Sequence, residues 1–168
     1  MAVSTDEDLL LFILNSTPVV DGEPRDLLAD PTSACSTLRE FGGTGTREEW
    51  EAVRSARPLL QGVARAELTA DSLAPLLADA VQIPHLTATR LDWSLTAPPD
   101  QQCVVRAVIA WAGLRETAPD RLRPCANDEC RRFLVDRSRA NTARWCSMAT
   151  CGNRLKARRH YRRARTQP

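Results

Sequence analysis

Residues 144–165 read RWCSMATCGNRLKARRHYRRAR: two cysteines, Cys146 and Cys151, stand directly before the most basic segment of the chain. A second pair, Cys125 and Cys130, lies upstream with the same four-residue spacer, and fifteen residues separate the pairs. Four thiolates around Zn²⁺ complete a tetrahedron, and each short pair can span one of its edges. A catalytic zinc keeps a position open and usually carries histidine or carboxylate ligands, so a four-cysteine site is structural. A module of about 40 residues buries too little core to fold alone, whereas structural zinc supplies about 10–16 kcal/mol of apparent binding free energy.

The same cysteines admit other readings. Disulfides need an oxidising compartment. A redox dithiol usually needs C-x-x-C, which neither pair has. An iron–sulfur cluster also accepts four cysteines, and spacing does not exclude it. Zinc is the expected ligand on the cysteine count and on the absence of an export signal. The apolar run Leu9–Leu14 is short and follows Asp6, Glu7 and Asp8 rather than a basic stretch. Nothing approaches the length of a membrane span, and a cytoplasmic protein is expected.

Charge divides the chain. Of the 168 residues, 43% are hydrophobic, as in a globular protein, and the net charge of +2 looks bland. Yet residues 121–168 hold 14 Arg and Lys against 3 Asp and Glu, a net +11. Residues 1–120 hold 9 against 18, a net −9. A polyanion is the natural partner of the second part.

The patterning predicts a mainly α chain: a helical domain over 1–118 containing a short β hairpin, then a small zinc module over 119–168 built from a β hairpin and one helix. Helices are expected over Asp6–Asn15, from Asp30 to Phe41, from Thr46 to about Leu68, after Asp71 through Val81, and over Gln101–Glu116. Thr46 and Glu49 fit a capping box. Met148, Cys151 and Leu155 form a stripe expected to pack on the metal site and Phe133, with Ser147 as N-cap. Gly42, Gly43 and Gly45 break the second helix. Residues 83–96 alternate apolar and polar side chains and predict one or two strands.

The literal pattern is also familiar. Cys125-x4-Cys130, Phe133-x2-Asp136-x-Ser138 and Arg144-Trp-Cys-Ser-Met-x2-Cys-Gly-Asn-Arg154 with Lys156 closely resemble the CGNR-type zinc finger of bacterial, especially actinobacterial, proteins. The N-terminal part resembles more weakly the helical ABATE domain of that family, a stress-induced transcription regulator by description. That likeness lies in Leu11–Ser16 (LFILNS, where the family more often has Asn-Thr) and in the helical layout. The resemblance implies a treble-clef-like finger with Cys125, Cys130, Cys146 and Cys151 as zinc ligands, and a DNA-binding role.

Arg154, Arg158, Arg162 and Arg165 follow helical spacing, with Arg159, Arg163 and Lys156 beside them. Such a ridge suits phosphates, and Asn153 near the helix start suits base edges. Two other duties remain open for these cations. A Zn²⁺ ion with four thiolates carries a net charge of about −2, which Arg131, Arg132 and Arg144 can balance. Arg154 can also tie the finger together through Asp136, or the tail can dock on the acidic domain.

His85 and His160 have no neighbouring catalytic pattern. Cys35 and Cys103 read as packing residues, and Trp50, Trp93, Trp111 and Trp145 read as core, with Trp145 shielding the metal. Gly42–Gly45 lacks the lysine of a phosphate loop. The expectation is a DNA-binding transcription regulator rather than an enzyme, with a small-molecule effector and a homodimer as expected partners. The alternatives are a small-molecule-binding protein, or an RNA or protein adaptor, with a purely structural finger.

Overall fold

The computed structural model describes residues 5–20, 22–153 and 156. Helix α1, Asp6–Leu14, begins at Thr5, whose hydroxyl accepts from the Asp8 N–H while the Asp8 carboxylate accepts from the Thr5 N–H. Three acids in its first turn favour the positive end of the helix dipole. Leu9, Leu10, Ile13 and Leu14 are fully buried. A short ribbon of β1, Val19–Val20, and β2, Glu23–Pro24, leads to α2, Pro31–Glu40, capped by Asp30.

Gly42 and Gly45 turn the chain through positive φ, and α3 runs over Arg47–Ala64. The predicted capping box is only half made. Thr46 accepts from the Glu49 N–H, but the Glu49 carboxylate turns to the Gly45 N–H at 2.7 Å and the Thr44 hydroxyl at 3.1 Å. Helix α3 also stops before the expected Leu68. Ala66 adopts a φ of 59°, and the Glu67 N–H folds back to the Gly62 carbonyl, which closes the helix end.

The next helix differs more. Ala70–Leu77 winds as a 3₁₀ helix with Thr69, not Asp71, at its N-cap, and the Thr69 hydroxyl donates to Asp71. Pro75 within it has no N–H to give a helical ladder, and Val81 already belongs to a strand. Strands β3, Val81–Leu86, and β4, Leu91–Thr96, pair antiparallel in one hairpin with Val81 opposite Thr96 and Leu86 opposite Leu91. Trp93 on β4 is 58% exposed, not core as expected. Trp50 is buried, its indole N–H donating to the Leu28 carbonyl, and Trp111 is half-buried against the core.

Helix α4, Gln102–Thr117, packs on α1 and α3. Beyond it β5, Leu122–Pro124, pairs antiparallel with β6, Phe133–Val135. The core gathers Leu9, Ile13, Leu38, Val53, Leu60, Leu73, Val104 and Val108, and Phe133 joins it across the division drawn at residue 118. Among the described residues no helix is long and apolar enough to cross a membrane.

Candidate metal centre

Strand pairing brings the first two cysteines to the head of the β5–β6 ribbon. The Cys125 N–H donates to the Arg132 carbonyl at 2.8 Å, and the tight turn between is closed by the Cys130 N–H on the Asn127 carbonyl at 2.7 Å. The second pair arrives on a loop held by the Ala126 N–H on the Arg144 carbonyl. Ser147 then caps a five-residue π-helical turn, Met148–Gly152, whose Cys151 and Gly152 amides both reach the Ser147 carbonyl.

The result is a cluster. The Sγ atoms of Cys125, Cys130, Cys146 and Cys151 all lie within 4.8 Å of one another. Cys146 Sγ is 3.7 Å from Cys130 Sγ and 3.7 Å from Cys151 Sγ. Thiolates at about 2.3 Å from one tetrahedral zinc stand about 3.8 Å apart, whereas a disulfide needs about 2.05 Å. All six cysteines are free thiols. The spacing therefore fits one ion held by four sulfurs, with no position left for substrate.

Neighbouring groups also fit thiolates. The Asn127 side-chain amide donates to Cys151 Sγ at 3.6 Å, and the Cys146 N–H donates to Cys125 Sγ at 3.4 Å. Burial pushes the Cys130 thiol up to about 11 and raises Cys146 as well. Burial opposes ionisation of Cys151 too, but donation from Asn127 and the neighbouring thiols brings its value down. A metal entering this site must displace protons, and the negative charge that then develops needs the bound cation. When bound, Zn²⁺ supplies a cross-link between the ribbon and the helical turn.

Below the sulfurs, Asp136 organises the connecting loop. Its carboxylate accepts from the Ser138 N–H at 2.8 Å, the Ala143 N–H at 2.7 Å and Arg123 Nη2 at 3.0 Å. Ser138 first, then Ala143 and Arg123, hold this carboxyl below the ordinary aspartate value. Arg121 Nη1 reaches the Asp136 and Ser138 carbonyls. Arg123, which the sequence reading passed over, is thus the described partner of Asp136. The signal was present in the two-residue spacing of Arg121, just before β5, and Arg123 within it, which along extended chain puts both on one side. Asn15 was missed in the same way. Its side-chain oxygen accepts from the Phe133 N–H at 2.6 Å, and its amide donates to the Phe133 carbonyl at 3.2 Å.

Of the stripe expected on the metal, Cys151 joins the cluster, Leu155 lies outside the described residues, and Met148 departs from the expectation. Met148 is 50% exposed and lies over Gly152, while Phe133 is buried in the helical core. Trp145 is half-buried beside the same turn, with the Arg144 guanidinium 6.0 Å from its ring. Of the residues expected to face nucleic acid, Asn153 and Lys156 are helical and exposed. Arg154, Arg158, Arg159, Arg162, Arg163 and Arg165, with Leu155, His160 and Tyr161, lie outside the described residues. His85 is exposed and shares a 2.6 Å hydrogen bond with Ser94. Cys103 is fully buried, whereas Cys35 is only half-buried and donates to the Thr46 carbonyl.

Fold and site together define a protein with a closed four-cysteine zinc module at the end of a helical body. The family model of the CGNR zinc finger matches residues 121–164, which span all four cysteines and the Cys-Gly-Asn-Arg run itself. The chain is a CGNR zinc finger domain-containing protein. A search of the curated proteins found no match.

Proposed function

We propose that the chain is a cytoplasmic, non-enzymatic transcription regulator that binds DNA through the segment following its zinc centre. The observation that carries this reading is the placement of Cys151. That ligand lies in the helical turn that leads to exposed Asn153 and Lys156, and the sequence continues into the arginine-rich stretch. A ribbon bearing one ligand pair and a helical turn bearing the other is a treble-clef-like layout, in which the metal sets the base of the basic segment. The −9 and +11 halves support a polyanionic partner for the finger, and the same polyanion repels the acidic helical body. The helical part, ABATE-like by resemblance, senses an effector or mediates assembly.

The test is a salt titration of the zinc-loaded protein on duplex DNA. If about six arginines meet phosphates, log K falls against log salt with a slope near −5. Replacing Arg158, Arg159 and Arg162 by glutamine should flatten that slope by about 3. No binding at low salt, or a flat response, overturns the reading. Stronger capture of RNA than of duplex DNA replaces it by the adaptor alternative.

A further inference from the structure

The β3–β4 hairpin carries large apolar side chains that its own chain leaves open. Leu86 is 88% exposed, Trp93 58% and Leu91 50%; at the hairpin's base Val81 is 57% exposed and nearby Leu77 36%. Cross-strand register puts Gln82, Pro84 and Leu86 on one face with Leu95, Trp93 and Leu91. At its base this face meets α4. Leu95 is half-buried there, and the junction is an open groove of about 400 Å³ lined by Leu77, Val81, Leu95, Ile109, Ala112 and Gly113. Among the described residues nothing lies within 4 Å of where a Cβ on Gly113 would stand. Farther out the face overhangs solvent.

Helix α4 repeats the message. Cys103, Val104, Ala107 and Val108 fill the core, while Ile109 and Ala112 face the groove. A helix apolar on both sides is normally covered on both sides. A lone two-stranded ribbon is also marginal in water, and its two open edges need a neighbour.

We propose that this strip, the inner face of the hairpin together with the outer side of α4, is the interface with a second copy of the chain. Charge argues for a like partner. Arg90 at the hairpin's tip pairs at 2.8 Å with Asp92 of the other face, and among the described residues Glu116 is the one charged residue lining the groove, so no acidic or basic partner is selected. Area argues the same way. Leu77, Leu86, Leu91 and Trp93 expose roughly 500 Å², and half-buried neighbours add to this, against the ~800 Å² that each side of a standard interface gives. A twofold axis through the strip lets each overhang cover the groove of the other copy. A small apolar molecule in the groove would leave the overhang bare. The inference stands on the hairpin and α4 and holds whatever the finger binds.

Sedimentation or light scattering of the zinc-loaded full chain reads the outcome. The wild type should have twice the chain mass at micromolar concentration. Leu86→Asp and Trp93→Asp should return the monomer, with association weakened at least 100-fold and the thermal transition of the monomer preserved. Leu91→Gln, which adds no charge, should weaken the dimer less. Leu27→Asp, at an exposed leucine elsewhere, should leave it intact. A wild type that stays monomeric overturns the proposal, including one whose groove takes up an apolar dye. A dimer indifferent to Leu86→Asp and Trp93→Asp, or lost equally in Leu27→Asp, also overturns it.

Discussion

Phe133→Ala asks whether the finger and the helices unfold as one body. Phe133 stands three residues after a metal ligand, yet it is 2% exposed and packs with the core of α1, α3 and α4. The Arg65 guanidinium covers its ring at 4.8 Å, and Asn15 clamps its backbone from the end of α1. Truncating a buried phenylalanine costs about 3–5 kcal/mol, and loss of the cation–ring contact adds about 0.5–1 kcal/mol. For a domain of this size about 4 kcal/mol lowers Tm by roughly 12 °C. The four ligands are untouched, so the variant should keep its zinc. Calorimetry of the loaded protein should show a single transition in the wild type, moved down by that amount in the variant. Asn15→Ala should cost about 1–3 kcal/mol by leaving the Phe133 N–H and carbonyl unpaired, and the two changes should be less than additive. A shift under about 2 °C, or a helical transition that ignores the change while metal is lost, would refute the shared core.

Elemental analysis should find one zinc per chain, and Cys151→Ser should abolish stoichiometric binding and lower the thermal transition. Because each thiol must give up its proton to the metal, acidification should release zinc, with a chromogenic chelator reading the release as pH falls. Gly43→Ala should destabilise by about 2 kcal/mol or more, since an added Cβ would lie 2.7 Å from Cys103 Sγ and from both Glu49 oxygens; urea melts check this. Burial first, then the charge of Glu49, raises the Cys103 thiol from 9.0 to about 12. The folded state therefore holds that proton more tightly than the unfolded chain. The contribution is full below pH 9 and is lost as pH climbs through about 12. Alkylation of zinc-loaded protein at pH 8 should accordingly label Cys35 and spare Cys103, as mass mapping would show.

Much of this layout was legible because local chemistry announces itself. Asp30 and Thr46 each read as helix starts and each caps one. The alternation over 83–96 became a hairpin, and four thiols at two equal spacings became one cluster. The errors came where local signals compete. Asp71 looked like a cap but lost that place to Thr69, and a proline turned the expected α-helix into a 3₁₀ segment. Glu49 looked like half of a box but served the glycine turn before it. Trp93 was read as core because aromatic residues usually are, and periodicity cannot say whether a face meets its own chain, another copy or water.

Thus the primary sequence alone determined the four-thiol ligand set, the helix starts at Asp30 and Thr46 and the split of charge, all of which depend on residue type and short spacing. Tertiary structure alone decided that Phe133 belongs to the helical core, that Asn15 holds it there, and that Asp136 answers to Arg123. Those contacts join residues up to 118 positions apart, and only the packed chain brings such distant groups within hydrogen-bond reach.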